Sequence, residues 1–341
     1  MADITVVGAG AVGTATALEL HRFGHNVTLI AQEVSGQLDM RSGVTTRWAA
    51  GIGCIFKPSS EFVATLVLDS YEEWMRIARD PNVTYIQETD LIIVTRPNEE
   101  VSYAGKVSNF QRIDETTAQY TTYSLNPELM LEARLAELNK KGVTIVRRAL
   151  TADEIKQLRD GVSLDGSQYT VQATGLATRD HRPDLQLYPI AGVLVHFIDP
   201  ASGELRDSYM DEDKARYVVT RPSPHGREII VGGTFLEGIG RMSEEEQAAR
   251  GEAIVAEAKT HFKPLGLDSR RLVLPREVSV GYRPGRVGDP VIEIGDKVAV
   301  VTGFGGQGIV TNPAVASLVA GKINDRLPKG GIYLPRSGER D

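Results

Sequence analysis

A chain of 341 residues and 37.1 kDa is long enough for two packed domains or one large α/β domain, at about 150 residues per domain. Hydrophobic residues at 41%, charged residues at 24% and 34 glycines exclude a wholly disordered chain. Thirty-eight basic against 45 acidic side chains leave a formal charge of −7 and a pI near 5.5, so no global basic field draws nucleic acid or an anionic membrane.

Met1-Ala2-Asp3-Ile4-Thr5-Val6-Val7 carries an acid where a secretion signal needs basic charge, and it runs directly into a strand. Gly8-Ala9-Gly10-Ala11-Val12-Gly13 follows, then a helical pattern through Leu18, Leu20 and Phe23 that Gly24 ends. Val27 to Ile30 reads as a second buried strand, so the first 31 residues form a βαβ unit of a parallel sheet. Gly8 permits a tight turn, Gly10 lets the backbone approach a pyrophosphate, and Gly13 lets the helix pack on the strand, with Ala11 and Val12 between them. This placement predicts a dinucleotide and leaves NAD and FAD unseparated. An acid that binds ribose hydroxyls is expected at the end of the second strand, where this chain has Ala31. Gln32 and Glu33 come next as ribose candidates, with a solvated surface glutamate the alternative for Glu33.

Cys54 is the single cysteine, which removes any intrachain disulfide or CxxC pair and suits a reducing, cytoplasmic setting. Phe62, Leu66, Val67, Tyr71, Trp74 and Ile77 predict an amphipathic helix over 61–78, stopped by Asp80-Pro81-Asn82. From Val83 to Ile113 short apolar runs broken by turn residues predict antiparallel strands. Asn126-Pro127 opens a helix through Leu129, Leu131, Leu135 and Leu138, and Val143 to Val146 and Tyr169 to Ala173 restore strands. Strands return from Ile190 to Phe235 around turns at Asp199-Pro200 and Pro222 to Gly226, and Ser243 to Glu246 forms a capping box for a helix reaching about His261. Val298 to Thr302, a glycine run from Gly303 to Gly308 and a helix from Pro313 to about Asn324 complete the pattern. The apolar runs are far shorter than the roughly 20 residues of a membrane span. The expected fold class is α/β. A Rossmann-like domain comprises 1–57, 132–182 and 288–328, a mainly antiparallel β substrate domain comprises 58–131 and 183–287, and 329–341 form a tail.

Over nearly its whole length the pattern resembles the D-amino acid oxidase family of flavoproteins. Thr45-Thr46-Arg47-Trp48-Ala49-Ala50-Gly51 looks like the family's threonine-rich segment and Ala-Ala-Gly turn. That resemblance implies contacts of Thr45, Thr46, Ala50, Gly51 and Ile52 with cofactor phosphate and flavin. Ala173-Thr174-Gly175 is similar to the family's strand-end turn, which adds Thr174 and Gly175. The late glycine run resembles the one near the flavin, adding Gly303, Gly305, Gly308, Ile309, Val310 and Thr311. Val310 stands where the family has a threonine, and Thr311 follows one residue later.

Gly281-Tyr282-Arg283-Pro284 is similar to the segment whose arginine clamps a substrate carboxylate. Arginine suits that task because its planar, always-charged fork donates parallel hydrogen bonds; the bland alternative is a surface arginine in a turn. Tyr217 looks like the tyrosine that donates a second bond to the carboxylate, with a core strand tyrosine as the alternative. The resemblance also implies that the Gly306 carbonyl receives the substrate amine and that Phe56 lines the side-chain pocket. Asp213 occupies a lid position often held by tyrosine, so an acidic lid selecting basic or polar substrates is weighed against a solvated loop.

The resemblance implies non-covalent FAD, hydride transfer from Cα of a D-amino acid, an imino acid that yields oxo acid and ammonia, and peroxide from molecular oxygen. No acid–base or metal constellation is needed or evident. Rival readings are a glycine or secondary-amine oxidase, a flavin dehydrogenase, an NAD(P)-dependent dehydrogenase and a non-catalytic nucleotide sensor. The expected partner is a small amino acid, in a cytoplasmic protein whose oligomeric state, including a homo-oligomer, stays open.

Overall fold

The computed structural model describes residues 1–34, 44–54, 60–97, 99–198, 207–211, 213–224, 226–265, 267, 270, 272 and 275–327. Phe56, the Asp199-Pro200 turn and the 329–341 tail lie outside the described residues. In chain order the strands and helices begin with β1 (Asp3–Val7), α1 (Ala11–Arg22), β2 (Asn26–Ala31), α2 (Glu61–Ala78), β3 (Ile86–Val94), β4 (Ser108–Arg112) and β5 (Thr117–Leu125). They continue with α3 (Pro127–Lys140), β6 (Thr144–Arg147), α4 (Ala152–Arg159), β7 (Tyr169–Gln172), α5 (Thr178–His181), β8 (Tyr188–Ile198) and β9 (Asp207–Asp211). The rest are β10 (Arg216–Ser223), β11 (Gly226–Gly232), β12 (Leu236–Glu237), α6 (Glu244–His261), β13 (Pro275–Gly285), β14 (Val291–Ile294), β15 (Val298–Thr302) and α7 (Asn312–Arg326).

Two compact units result: Met1–Val44 with Leu131–Tyr188 and Pro284–Asp341, and Thr45–Met130 with Pro189–Arg283. Residues 45–54 thus group with the second unit. No described helix is long and apolar enough to cross a membrane.

The first unit holds a six-stranded sheet in the order β14-β15-β7-β1-β2-β6. β1 pairs in parallel with both β2 and β7, and only edge strand β14 runs antiparallel to its neighbour, β15. Helix α1 buries Ala11, Gly13, Thr14, Ala15, Thr16, Ala17 and Leu20, a mostly small-residue face that permits close approach, and it packs on α7. Leu20 and Leu29 are fully buried, each contributing about 1.5–3 kcal/mol. α4, for which the sequence reading assigns no element, is nucleated by a capping box between Thr151 and Glu154.

The second unit holds a nine-stranded sheet, β12-β8-β11-β10-β9-β3-β5-β4, with β13 also on β8. β3 and β5 pair antiparallel along their whole lengths, as expected, but β3 pairs in parallel with β9. The parallel pair has a topological cause: β3 and β9 are far apart in the chain, with β4, β5, the other unit and β8 between them, so no hairpin forces them antiparallel. One face of this sheet buries Val195, Phe197, Tyr209, Val218, Ile229 and Val231 with Ile254, Ala258 and Phe262 from and just beyond α6. The expected Ser243–Glu246 capping box forms in full. α2 matches its expected span and sets Trp74 5.5 Å from Tyr123. Phe62 departs from its expected apolar stripe, being 40% exposed while Val63 is buried.

Candidate active site

In the first unit β1 ends in a turn that only glycine can make. Gly8 has φ +110° and a Cβ there would stand 2.3 Å from the Ala173 carbonyl oxygen; one on Gly13 would stand 1.9 Å from the Gly8 oxygen. The Gly8 amide donates to the Ile30 carbonyl at 2.8 Å, tying the turn to β2. Gly10 caps α1 in an extended conformation, without a side-chain cap and without an acid in the first turn. The helix therefore offers its positive end, with Ala11, Val12 and Gly13 in its first turn, to an external anion. The glycine cradle fits the pyrophosphate of a dinucleotide.

Other expected cofactor residues of this unit lie at strand ends. Gly175 has φ +58°, its carbonyl accepts the Thr302 hydroxyl at 2.9 Å, and the Thr174 and Thr178 hydroxyls are 2.9 Å apart. Gly303 and Gly305 have φ +82° and +53°, and Gly305 to Gln307 form one 3-10 turn that includes Gly306. Gly308 leads into buried Ile309, Val310 and Thr311, whose hydroxyl donates to the Gln307 carbonyl at 2.8 Å and is thus held within its own turn. Beyond β2, Gln32 is exposed and Glu33 half-buried. Sequence reasoning missed Arg134: from α3 it donates to the Ala11 carbonyl at 3.1 Å and to Asn312 Oδ1 at 2.8 Å. It thereby links the first turns of α1 and α7, and nothing in its helical surroundings distinguishes it from a surface arginine.

In the second unit Thr45 to Trp48 form one 3-10 turn, in which Thr45 donates its hydroxyl to the Tyr282 carbonyl at 2.7 Å. Thr46 accepts the Ala49 amide at 3.3 Å. Gly51, at φ +76°, leaves no room for a side chain, since a Cβ would lie 2.0 Å from the Leu125 oxygen. Ile52 bridges to Ser124, so Ala50 and its neighbours are laid along the end of β5.

Arg283 on β13 and Tyr217 on β10 come together. The Arg283 Nη1 donates to the Thr234 carbonyl at 3.1 Å, its guanidinium carbon lies 4.4 Å from the Phe235 ring centroid, and Gly192 lies so close beneath it that a Cβ would be 2.3 Å from Nη2. The Tyr217 side chain hydrogen-bonds Arg283; burial raises the phenol's pKa, and the guanidinium works against that rise. No described carboxylate forms an ion pair with Arg283, leaving a half-buried cation beside a neutral phenol. A guanidinium beside a phenol hydroxyl has the donor chemistry that suits a carboxylate. Asp213, by contrast, is engaged by Arg96 Nε at 3.0 and 3.1 Å to its two oxygens, on an exposed turn.

A glycine-cradled turn on a parallel sheet marks an α/β protein that binds a dinucleotide. The FAD-dependent oxidoreductase family (DAO) matches residues 3–322, and the chain belongs to it; FAD is its cofactor. Its fold is similar to that of iminodiacetate oxidase from Chelativorans sp. BNC1, at 16% identity and a TM-score of 0.70, with 96% of each chain covered. Glycine oxidase from Bacillus cereus ATCC 14579 is similar at 15% identity and a TM-score of 0.69, again over 96% of each chain. L-proline dehydrogenase from P. horikoshii follows at 17% identity and 0.70, over 96% of this chain and 94% of that one.

Proposed function

We propose that this oxidoreductase acts on a D-amino acid, with Arg283 holding the substrate carboxylate and Tyr217 donating a second hydrogen bond to it. The observation that carries the reading is the guanidinium–phenol pair, in which Arg283 is anchored on the Thr234 carbonyl and the Phe235 ring without a described carboxylate partner. FAD, when bound, supplies the acceptor for the hydride from Cα. The chain's own part is to bind and orient. Arg283 and Tyr217 fix the carboxylate, the Gly306 carbonyl is the proposed acceptor for an amine hydrogen, and positioning supplies much of the rate. The resemblance assigns Thr45, Thr46, Ala50, Gly51 and Ile52 to the cofactor, and their close-set backbone supports that assignment. No side-chain base is required if the amine is neutral. The products are an imino acid, which hydrolyses to oxo acid and ammonia, and peroxide where oxygen is the electron acceptor.

A second reading takes glycine or a secondary amine acid as substrate. It draws support from the names of the similar structures, which include glycine oxidase and iminodiacetate oxidase. The test is a stereo-resolved panel of amino acids, glycine and N-substituted glycines, followed for flavin bleaching without oxygen and for peroxide with it. Bleaching by D forms supports the first reading. Bleaching confined to glycine and secondary amines moves the assignment to the second, and faster bleaching by L forms overturns the proposed handedness.

A further inference from the structure

Tyr217 and Arg221 stand on one face of β10, four residues apart, so they share the pleat that faces the 49–54 segment. Arg221 is 3% exposed and lies directly opposite Glu228 in the β10–β11 ladder, with Nε 2.7 Å from Glu228 Oε1. Its Nη1 donates to two successive carbonyls, Ala49 at 2.7 Å and Ala50 at 3.2 Å. Glu228 is itself fully engaged: Asn126 Nδ2 donates to Oε1 at 3.2 Å, and His196 Nδ1 lies 3.6 Å from Oε2. A buried ion pair is a poor source of stability by itself, because desolvation offsets the attraction. Here the far edge of the guanidinium reaches backbone that no sheet ladder holds.

We infer that Arg221 is a positioning residue for the cofactor: backed by Glu228, it clamps the Ala49 and Ala50 carbonyls and so fixes the turn at Gly51 in its binding conformation. The inference rests on the proposed assignment of this segment to FAD. Arginine is required, since only a planar fork can face a carboxylate with one edge and two carbonyls with another. Lysine would keep the charge and lose the span. The clamp also ties the cofactor segment to the strand that carries Tyr217, so one ion pair orders both.

The test compares the wild-type chain with Arg221→Lys and Arg221→Met. One arm is hydrogen exchange on the FAD-free protein at the amides of Gly53 and Leu125, which bond to Tyr123 and Gly51 carbonyls at 2.8 and 2.7 Å. The other is FAD affinity by quenching of flavin fluorescence. Both variants are expected to lose protection at those amides while the β10–β11 ladder keeps its own, and to bind FAD roughly ten- to a hundredfold more weakly. Should Arg221→Met fail to fold, Arg221→Lys carries the test. Unchanged protection at Gly53 and Leu125 overturns the clamp. Loosened amides with unchanged FAD affinity overturn instead the assignment of the segment to the cofactor. Loss of protection across the whole sheet reduces Arg221 to a structural residue and also overturns the inference.

Discussion

The Tyr217 ring lies against Gly232, its partner across the β10–β11 ladder, so closely that a Cβ on Gly232 would come within 2.3 Å of the ring. The glycine is thus the floor on which the phenol rests. Tyr217 is only 8% exposed, so the ring has little room to retreat. Gly232→Ala should displace the phenol from Arg283 and lower turnover of carboxylate substrates at least as much as Tyr217→Phe does. Kinetics equal to wild type would show that the ring moves freely.

Arg283→Met should fold and retain FAD but lose most activity on amino acids. Truncating one member of a desolvated charged pair costs about 2–5 kcal/mol, or roughly 30-fold to several thousandfold in kcat/KM. Arg283→Lys should recover little, having no fork to present. An intact flavin spectrum with near wild-type kinetics would remove Arg283 from the site.

Tyr217→Phe deletes one hydrogen bond and keeps the ring, so a milder loss of about 1.5–3 kcal/mol is expected with a charged acceptor. The loss should fall on amino acids and spare matching amines that lack a carboxylate. Equal losses for both would assign Tyr217 to the fold alone.

Gly13→Ala should abolish FAD binding, because its methyl would stand 1.9 Å from the Gly8 oxygen and force α1 away from β1. The expected product is a colourless protein of lower melting temperature, read by absorbance and thermal unfolding. Stoichiometric yellow protein from this variant would contradict the cradle. In the wild type, acid precipitation should release all the flavin into solution.

Glu228 gives stability a defined acid limb. Burial alone would raise its carboxyl, but Arg221 and His196 outweigh that and hold it down at about 2, from an ordinary 4.5. A depressed folded-state value means the stabilisation is complete above the unfolded value and disappears as pH falls from 4.5 through about 2. At about 1.4 kcal/mol per unit the effect is about 3 kcal/mol. Urea unfolding should show wild type and Glu228→Gln converging as pH drops through that window. A gap that stays constant with pH would show that Glu228 carries no such charge.

The βαβ opening was legible because each of its signals is local: Gly8 needs its positive φ, Gly13 its bare face, Gly24 its helix stop. The Ser243 capping box was legible for the same reason. Thr151 and Glu154 carry an equally local signal for α4 that the reading passed over. What could not be read was long-range. The parallel register of β3 on β9 depends on where the chain re-enters the sheet, and Arg134 and Arg221 are charged residues whose burial is decided by distant partners. Arg283 and Tyr217 are proposed through the motifs around them, whereas the Thr234 carbonyl and Phe235 ring that anchor Arg283 are visible only in the fold.

The order of strands in the first sheet bears on how the protein is made. β7 lies between β1 and β15, and β15 begins at Val298, more than a hundred residues after β7 ends at Gln172. While a ribosome is still translating the intervening stretch, β7 has an open edge, and α1 lacks the packing that α7 later supplies. The nascent chain thus exposes a buried-type strand, Tyr169–Gln172, until Val298 and its neighbours have been made. Closing that edge requires a contact of large sequence separation, which slows folding. A chain stopped before Val298 should therefore be a substrate for chaperones and prone to edge-to-edge aggregation, even though the whole glycine turn has already been made.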